Sequence, residues 1–181
     1  AAQKVADHYG VKFRLLDLSR IMEHVSSNLL LSGGAIPEGH YEQENMKLTV
    51  VPGRNIIFCS ILAGIAMSEE ADEIWIGVHA GDHAIYPDCR PDFVNAMRSA
   101  ILSGTDTGGR TITLQAPFLY HKKHEILQEG LAMENLVPYH LTRTCYTDSK
   151  VACGKCGACY ERRESFNLCK AVDPLPYQDE Q

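Results

Sequence analysis

Apolar and polar positions alternate in two periods along the chain, and the change of period divides it into helices and strands. A helix already under way at Ala1 ends at Gly10, and the apolar stretch Lys12–Leu18 (KFRLLDL) after it reads as a strand. Residues 26–51, rich in Ser, Gly, Pro, Glu and Asn, show no sustained period and predict a long loop, the kind that is functional or mobile. Pro52-Gly53 makes a turn, Asn55 is placed to cap a helix running to about Ser68, and apolar side chains on nearly every face of that helix predict a sandwiched element. Glu73–Val78 (EIWIGV) reads as a strand buried on both faces of a parallel sheet. A helix from Pro91 to about Ser103 follows, with Phe93, Met97, Ala100 and Ile101 as its stripe, then a strand at Thr111–Leu114. A further helix over His121–Met133 would bury Ile126, Leu127 and Leu131. The alternation predicts an α/β fold with a doubly wound, mainly parallel sheet. The expected organisation is an α/β domain over 1–140, a cysteine-bearing segment over 141–170 and a loose tail over 171–181.

Composition narrows the class. At 181 residues and 45% hydrophobic, the chain can bury a single core. A formal net charge of -6 argues against affinity drawn from broad contact with phosphate backbones, so no direct nucleic-acid partner is expected. The longest apolar run, Ile56–Met67, is shorter than the roughly 18 residues that a membrane span needs, and no secretory signal opens the sequence. Seven cysteines could signal disulfides, but the number is odd and four crowd together with metal-like spacing, so a reducing, cytoplasmic compartment is expected.

Those four are Cys145, Cys153, Cys156 and Cys159. Each Cys-x2-Cys pair folds back as a knuckle, Gly154 and Gly157 relieve crowding, and four thiolates suit a closed tetrahedral structural zinc. The competing reading is an iron–sulfur cluster, since Cys-x2-Cys-x2-Cys also begins the bacterial ferredoxin run, although the x3-Cys-Pro that completes that run is missing. Cys59 and Cys169 read as small buried residues.

The densest chemistry follows the strand ending at Val78: His79, Asp82, His83, Tyr86, Asp88, Cys89 and Arg90. Ligands of open α/β sheets bind beyond the carboxyl ends of the strands, so this loop could orient a planar polar substrate or help hold magnesium; a surface loop with a helix cap is the plainer reading. Cys89 as a nucleophile with His79 or His83 as base has no spacing rule behind it. Arg54 and Asn55 open a helix whose N–H groups favour an anion, and Lys122 and Lys123 at a later helix start point weakly the same way. Leu31-Ser-Gly-Gly34 begins like a phosphate-cradling loop but runs into Ala35-Ile-Pro37, not a helix.

Taken together, Val51-Pro-Gly-Arg-Asn55, His79-Ala-Gly-Asp82 running into Tyr86-Pro-Asp-Cys-Arg90, and Thr144-Cys-Tyr146 with Cys153-Gly-Lys-Cys156-Gly-Ala-Cys159 resemble the 7-cyano-7-deazaguanine synthase family over nearly the whole chain. The resemblance implies an N-type ATP pyrophosphatase fold, related to adenine-nucleotide hydrolase-like folds, with one structural zinc. It implies conversion of 7-carboxy-7-deazaguanine and ammonia to the 7-nitrile in queuosine precursor biosynthesis, with ATP and magnesium, through adenylate and amide intermediates. By the same resemblance Asp88, Arg90 and Lys123 are catalytic candidates, while Arg54, Asn55, His79, Asp82 and Tyr86 line the substrate and nucleotide pocket. Homodimers are common in the family, and Arg143 stands where members often have tryptophan. The family's Ser-Gly-Gly-x-Asp-Ser loop for pyrophosphate is absent from this sequence, so the expectation is a start some forty to fifty residues into the natural protein, and inactivity of the chain as it stands. Two other readings remain at this point: a related enzyme that stops at the amide or conjugates a protein, and a zinc ribbon that binds nucleic acid through Lys155, Arg162 and Arg163.

Overall fold

The computed structural model describes residues 1–106, 109–135 and 137–180. They form two compact units, one of Ala1–Val51 with Lys123–Gln181 and one of Pro52–Lys122.

The second unit is a β-α-β arrangement. Strand β1 (Glu73–Trp75) lies parallel to β2 (Thr113–Gln115), with Glu73 opposite Thr113, Ile74 opposite Leu114 and Trp75 opposite Gln115. Parallel pairing needs a crossover, and helix α4 (Pro91–Gly104) supplies it, with Pro91 at the first position where a missing N–H costs nothing. Helix α3 (Arg54–Ser68) precedes β1, and Cys59 and Ala66 on it join Ile74, Ile101, Ile112 and Leu114 in one core. Val78, Cys89, Val94 and Leu119 form a smaller cluster beneath the polar loop. The α/β class and parallel sheet expected from the alternation of periods are present.

Burial departs from expectation at three places. Helix α3 is not sandwiched: only Cys59 and Ala66 are buried, while Ile56, Phe58, Leu62 and Met67 are exposed. Strand β1 is covered on one face only, with Ile74 5% and Trp75 62% exposed. An apolar run shows that a residue can be buried, whereas the neighbours within the unit decide whether it is. On α4 the buried positions are Val94 and Ile101, with Ala100 exposed. The stretch Glu44–Ser68 has the length and mean hydropathy, 1.7, of a membrane span, but Pro52-Gly53 breaks it into a 3-10 turn and the 15-residue α3. That helix falls short of the roughly 20 residues needed to cross a bilayer.

In the first unit, α1 (Ala2–Tyr9) ends at Gly10 with φ 64, the left-handed cap that glycine tolerates. Lys12–Leu18, expected as a strand, has no regular structure, with Leu15 80% exposed; a strand exists through its ladder, and this segment pairs with none among the described residues. Short helix α2 (Ser19–Met22) and a 3-10 turn at Glu44–Thr49 lead to α5 (Lys123–Ala132), which packs on α6 (Gly157–Leu168).

The C-terminal residues are not a loose tail. Arg162 on α6 donates twice to Asp173, from Nε and Nη2, each at 2.8 Å, and the Tyr177 hydroxyl donates to the same carboxylate at 2.6 Å. The Gln178 N–H donates to the Ala152 carbonyl at 2.9 Å, and Arg163 pairs with Asp179 at 2.7 Å while stacking over Tyr177. Tyr177 is 3% exposed. Paired charges and one aromatic anchor fold this segment back, and none of these leaves a periodic trace in sequence.

Candidate functional site

The cysteines form the better defined of two candidate sites. One sulfur from each of Cys145, Cys153, Cys156 and Cys159 lies within 4.8 Å of the other three. The Cys156–Cys159 and Cys153–Cys159 separations are 3.5 and 3.9 Å, against about 3.8 Å for sulfurs around a tetrahedral zinc with Zn–S bonds of about 2.3 Å. Backbone donors aim at the sulfurs: Cys153 N–H at Cys145 Sγ, 3.3 Å, with Lys155 and Cys156 N–H at Cys153 Sγ, 3.5 and 3.4 Å. Such bonds favour thiolates, as does the start of α6, where Cys156 is the cap and Cys159 lies in the first turn. Cys156 is pulled below the ordinary thiol value, chiefly by its hydrogen-bonded contact with Cys159 and against its own burial, and Cys159 is raised by the same contact.

Local chain geometry explains why the knuckle forms. Gly154 takes φ 78, and a Cβ there would collide with the Asp179 carboxylate. Arg143 braces the turn between the first two cysteines, donating to the carbonyls of Thr147 and Ser149 at 2.8 and 2.6 Å. Cys169 donates to the His124 carbonyl at 3.2 Å and stands outside the sulfur group, and Cys59 is fully buried in the core.

The polar loop of the second unit gathers several residues singled out in the sequence. Asp88 Oδ2 accepts from the Asn55 N–H at 3.0 Å, and the Asp88 carbonyl accepts from Asn55 Nδ2 at 2.9 Å. Asn55 therefore does not cap α3 with its side chain; Gly53 occupies the cap position with no side chain to offer, and Asp88 reaches across to satisfy the helix start. The anion that this helix start attracts is thus a carboxylate of the chain itself. Arg54 lies over the Tyr86 ring at 5.8 Å, His79 Nε2 is 3.5 Å from Asp82 Oδ2, and Arg90 Nε donates to the His83 carbonyl at 2.8 Å. His79 Nδ1 accepts from the Gly81 N–H at 3.2 Å, leaving Nε2 to carry the proton toward Asp82.

Cys89 is 1% exposed, and burial, followed by the Asp82 and Asp88 carboxylates, pushes its thiol up to about 12. It remains a thiol at neutral pH, which removes the nucleophile reading. Lys123 opens α5 in the other unit, where its ammonium pairs closely with Glu161, itself 6% exposed. Sequence reasoning missed Glu161, because no short-range pattern links positions 38 residues apart.

A parallel β-α-β unit and four converging cysteines define the class as an α/β protein with a four-cysteine cluster compatible with zinc. The family model described as Queuosine biosynthesis protein QueC matches residues 1–170, and the chain belongs to that family. A protein named 7-cyano-7-deazaguanine synthase from Pseudoalteromonas atlantica is 46% identical over 169 residues, covering 93% of this chain and 75% of the relative. Proteins of the same name from Hahella chejuensis and Ruegeria pomeroyi are 43% and 41% identical, each over 98% of this chain and over 74% and 76% of their own lengths.

Proposed function

We propose that the chain makes 7-cyano-7-deazaguanine from 7-carboxy-7-deazaguanine, ammonia and ATP, as a step in queuosine precursor biosynthesis. The observation that carries this reading is the family match over residues 1–170, together with relatives named for that product.

The chemistry sets what the residues must do. A substrate carboxylate oxygen attacks the α-phosphorus of ATP and pyrophosphate leaves. Ammonia then attacks the acyl carbon, AMP departs with that oxygen, and the amide results. The amide oxygen attacks the α-phosphorus of a second ATP, pyrophosphate leaves again, and loss of AMP with the nitrogen's protons leaves the nitrile. Each step needs alignment, exclusion of water and cations to spread charge on the leaving groups, but no covalent nucleophile from the protein, in keeping with a protonated Cys89. Magnesium would supply further charge neutralisation on the triphosphate.

Arg90, whose side chain is tied to the His83 carbonyl at 2.8 Å, and Arg54, stacked at 5.8 Å on Tyr86, are the cations offered to phosphate. Asn55, His79, Asp82 and Tyr86 supply hydrogen-bonding groups for a planar heterocycle, and Asp88 holds Asn55 and the start of α3 in place. Lys123 acts in this reading as a further phosphate contact by giving up its pairing with Glu161. Cys145, Cys153, Cys156 and Cys159 hold zinc in a structural role. A homodimer in the cytoplasm completes the reading, since reduced thiols are required for the metal.

The test is product analysis. The protein expressed from its full open reading frame is incubated with ATP, ammonium and the 7-carboxylate, and products are weighed by mass spectrometry. Nitrile with AMP is the expected result. Amide accumulating without nitrile would transfer the reading to an amide-forming relative, and no AMP at all would overturn it.

A further inference from the structure

We propose that the four-cysteine knuckle anchors the long loop 26–51, so that metal binding orders a segment that contributes no metal ligand. All the residues involved lie in one unit.

The attachment is direct. Glu38 pairs antiparallel with Cys156, and the Gly39 N–H donates at 3.0 Å to the carbonyl of Lys155, which sits between two of the metal-binding cysteines. Ile36 packs against the cluster that holds Cys156 and Cys159. At Gly157, a Cβ would meet the Met46 sulfur at 2.8 Å and the Tyr41 Cα at 3.3 Å, so the loop lies against the backbone that begins α6. Met46 is 2% exposed. Two turns further along α6, Glu164 accepts from the Tyr41 hydroxyl at 2.8 Å and lies 3.7 Å from His40 Nε2.

The loop also bonds to itself. Asn28 N–H donates to the Leu48 carbonyl at 2.9 Å, Asn28 Nδ2 to Ala35 at 2.7 Å, Asn45 Nδ2 to Glu38 at 3.0 Å, and the buried Thr49 hydroxyl to Met46 at 2.6 Å. It therefore behaves as a small body with its own bonds, docked through Ile36, Glu38, Gly39, Tyr41 and Met46. A knuckle that loses its metal keeps four thiols and only the small cluster around Ala152, Ala158 and Tyr177, and binding energy of such sites is folding energy. The docking surface at 155–157 then loosens, and the loop with it. Coupling is reciprocal: whatever detaches the loop must weaken the hold on the metal by the same factor.

Two measurements test this, neither of which reads catalysis. First, the zinc affinity of the chain and of its Tyr41→Phe/Met46→Ala variant is measured by equilibrium competition with a chromogenic chelator. An affinity about tenfold weaker in the variant is expected, a typical size for such coupling; equal affinities would overturn the proposal. Second, hydrogen exchange of the unaltered chain is compared with and without zinc, which keeps the test alive if the variant folds poorly. Peptides spanning 36–49 should lose protection on zinc removal while Pro91–Gly104 keeps it. Unchanged protection of 36–49, or equal loss in both segments, would contradict the proposal.

Discussion

Replacing Asp88 with alanine removes the oxygen that satisfies the Asn55 N–H at 3.0 Å, at a helix start where Gly53 offers no side chain. Loss of a capping oxygen costs about 1 kcal/mol, and removing a carboxylate from a helix N-terminus adds roughly 0.3–1 kcal/mol, so the total is about 1–2 kcal/mol. For a protein of this size each kcal/mol moves Tm by about 2–4 °C, which predicts a fall of roughly 2–8 °C. Asp88→Asn keeps an acceptor for the same N–H and loses only the charge, so its fall should be the smaller of the two. Thermal unfolding followed by circular dichroism of the parent and both variants reads the order directly. A Tm for Asp88→Ala within about 1 °C of the parent would show that the contact does not cap α3 and would remove the reasoning. If Asp88 also positions substrate, Asp88→Asn should lose turnover out of proportion to its small loss of stability.

The other perturbations separate structure from chemistry. Cys156→Ser should release metal and destabilise the chain, whereas Cys59→Ser, in the core of the other unit, should leave metal content unchanged; atomic emission on both proteins decides, and equal contents would sink the ligand assignment. Glu161→Gln should lower stability, by roughly 1–3 kcal/mol in a urea titration, because a half-buried Lys123 ammonium loses its carboxylate; an unchanged midpoint would show that Lys123 is not held there. Burial raises the Asp173 carboxyl, but hydrogen bonds from Arg162 and Tyr177 outweigh it and hold the group below the ordinary carboxylate value. With the folded value depressed, its contribution is complete above the ordinary carboxylate range and is lost as pH falls through the lowered value. Asp173→Asn should flatten that acid limb and expose residues 171–180 to carboxypeptidase, and a parent and variant with superimposable acid unfolding would contradict this.

What could be read from sequence was local. The Cys-x7-Cys-x2-Cys-x2-Cys spacing named all four sulfurs that converge, because knuckle geometry is set over a short stretch of chain. Pro91 marked the start of α4, and the short apolar runs located β1 and β2 to within three residues. The misses share another origin. Asn55 looked like a cap, yet Asp88 caps the helix from 33 residues away. The segment after Val172 looked loose because Arg162, Asp173 and Tyr177 recognise one another by charge and shape, not by period. Lys12–Leu18 had the composition of a strand but pairs with no strand among the described residues. Of the polar loop, the sequence showed which groups were available, and only coordinates showed that Arg54 stacks on Tyr86 and that Cys89 is sealed beneath.

Isotope transfer tests nitrile formation through two adenylations. The 7-carboxylate, labelled with oxygen-18 in both carboxyl positions, is turned over with unlabelled ATP and ammonium in ordinary water, and the AMP is weighed. Each AMP should carry a single labelled oxygen, and both labels should leave with AMP as the nitrile appears. Unlabelled AMP beside a nitrile product, or label released into water, would contradict that route.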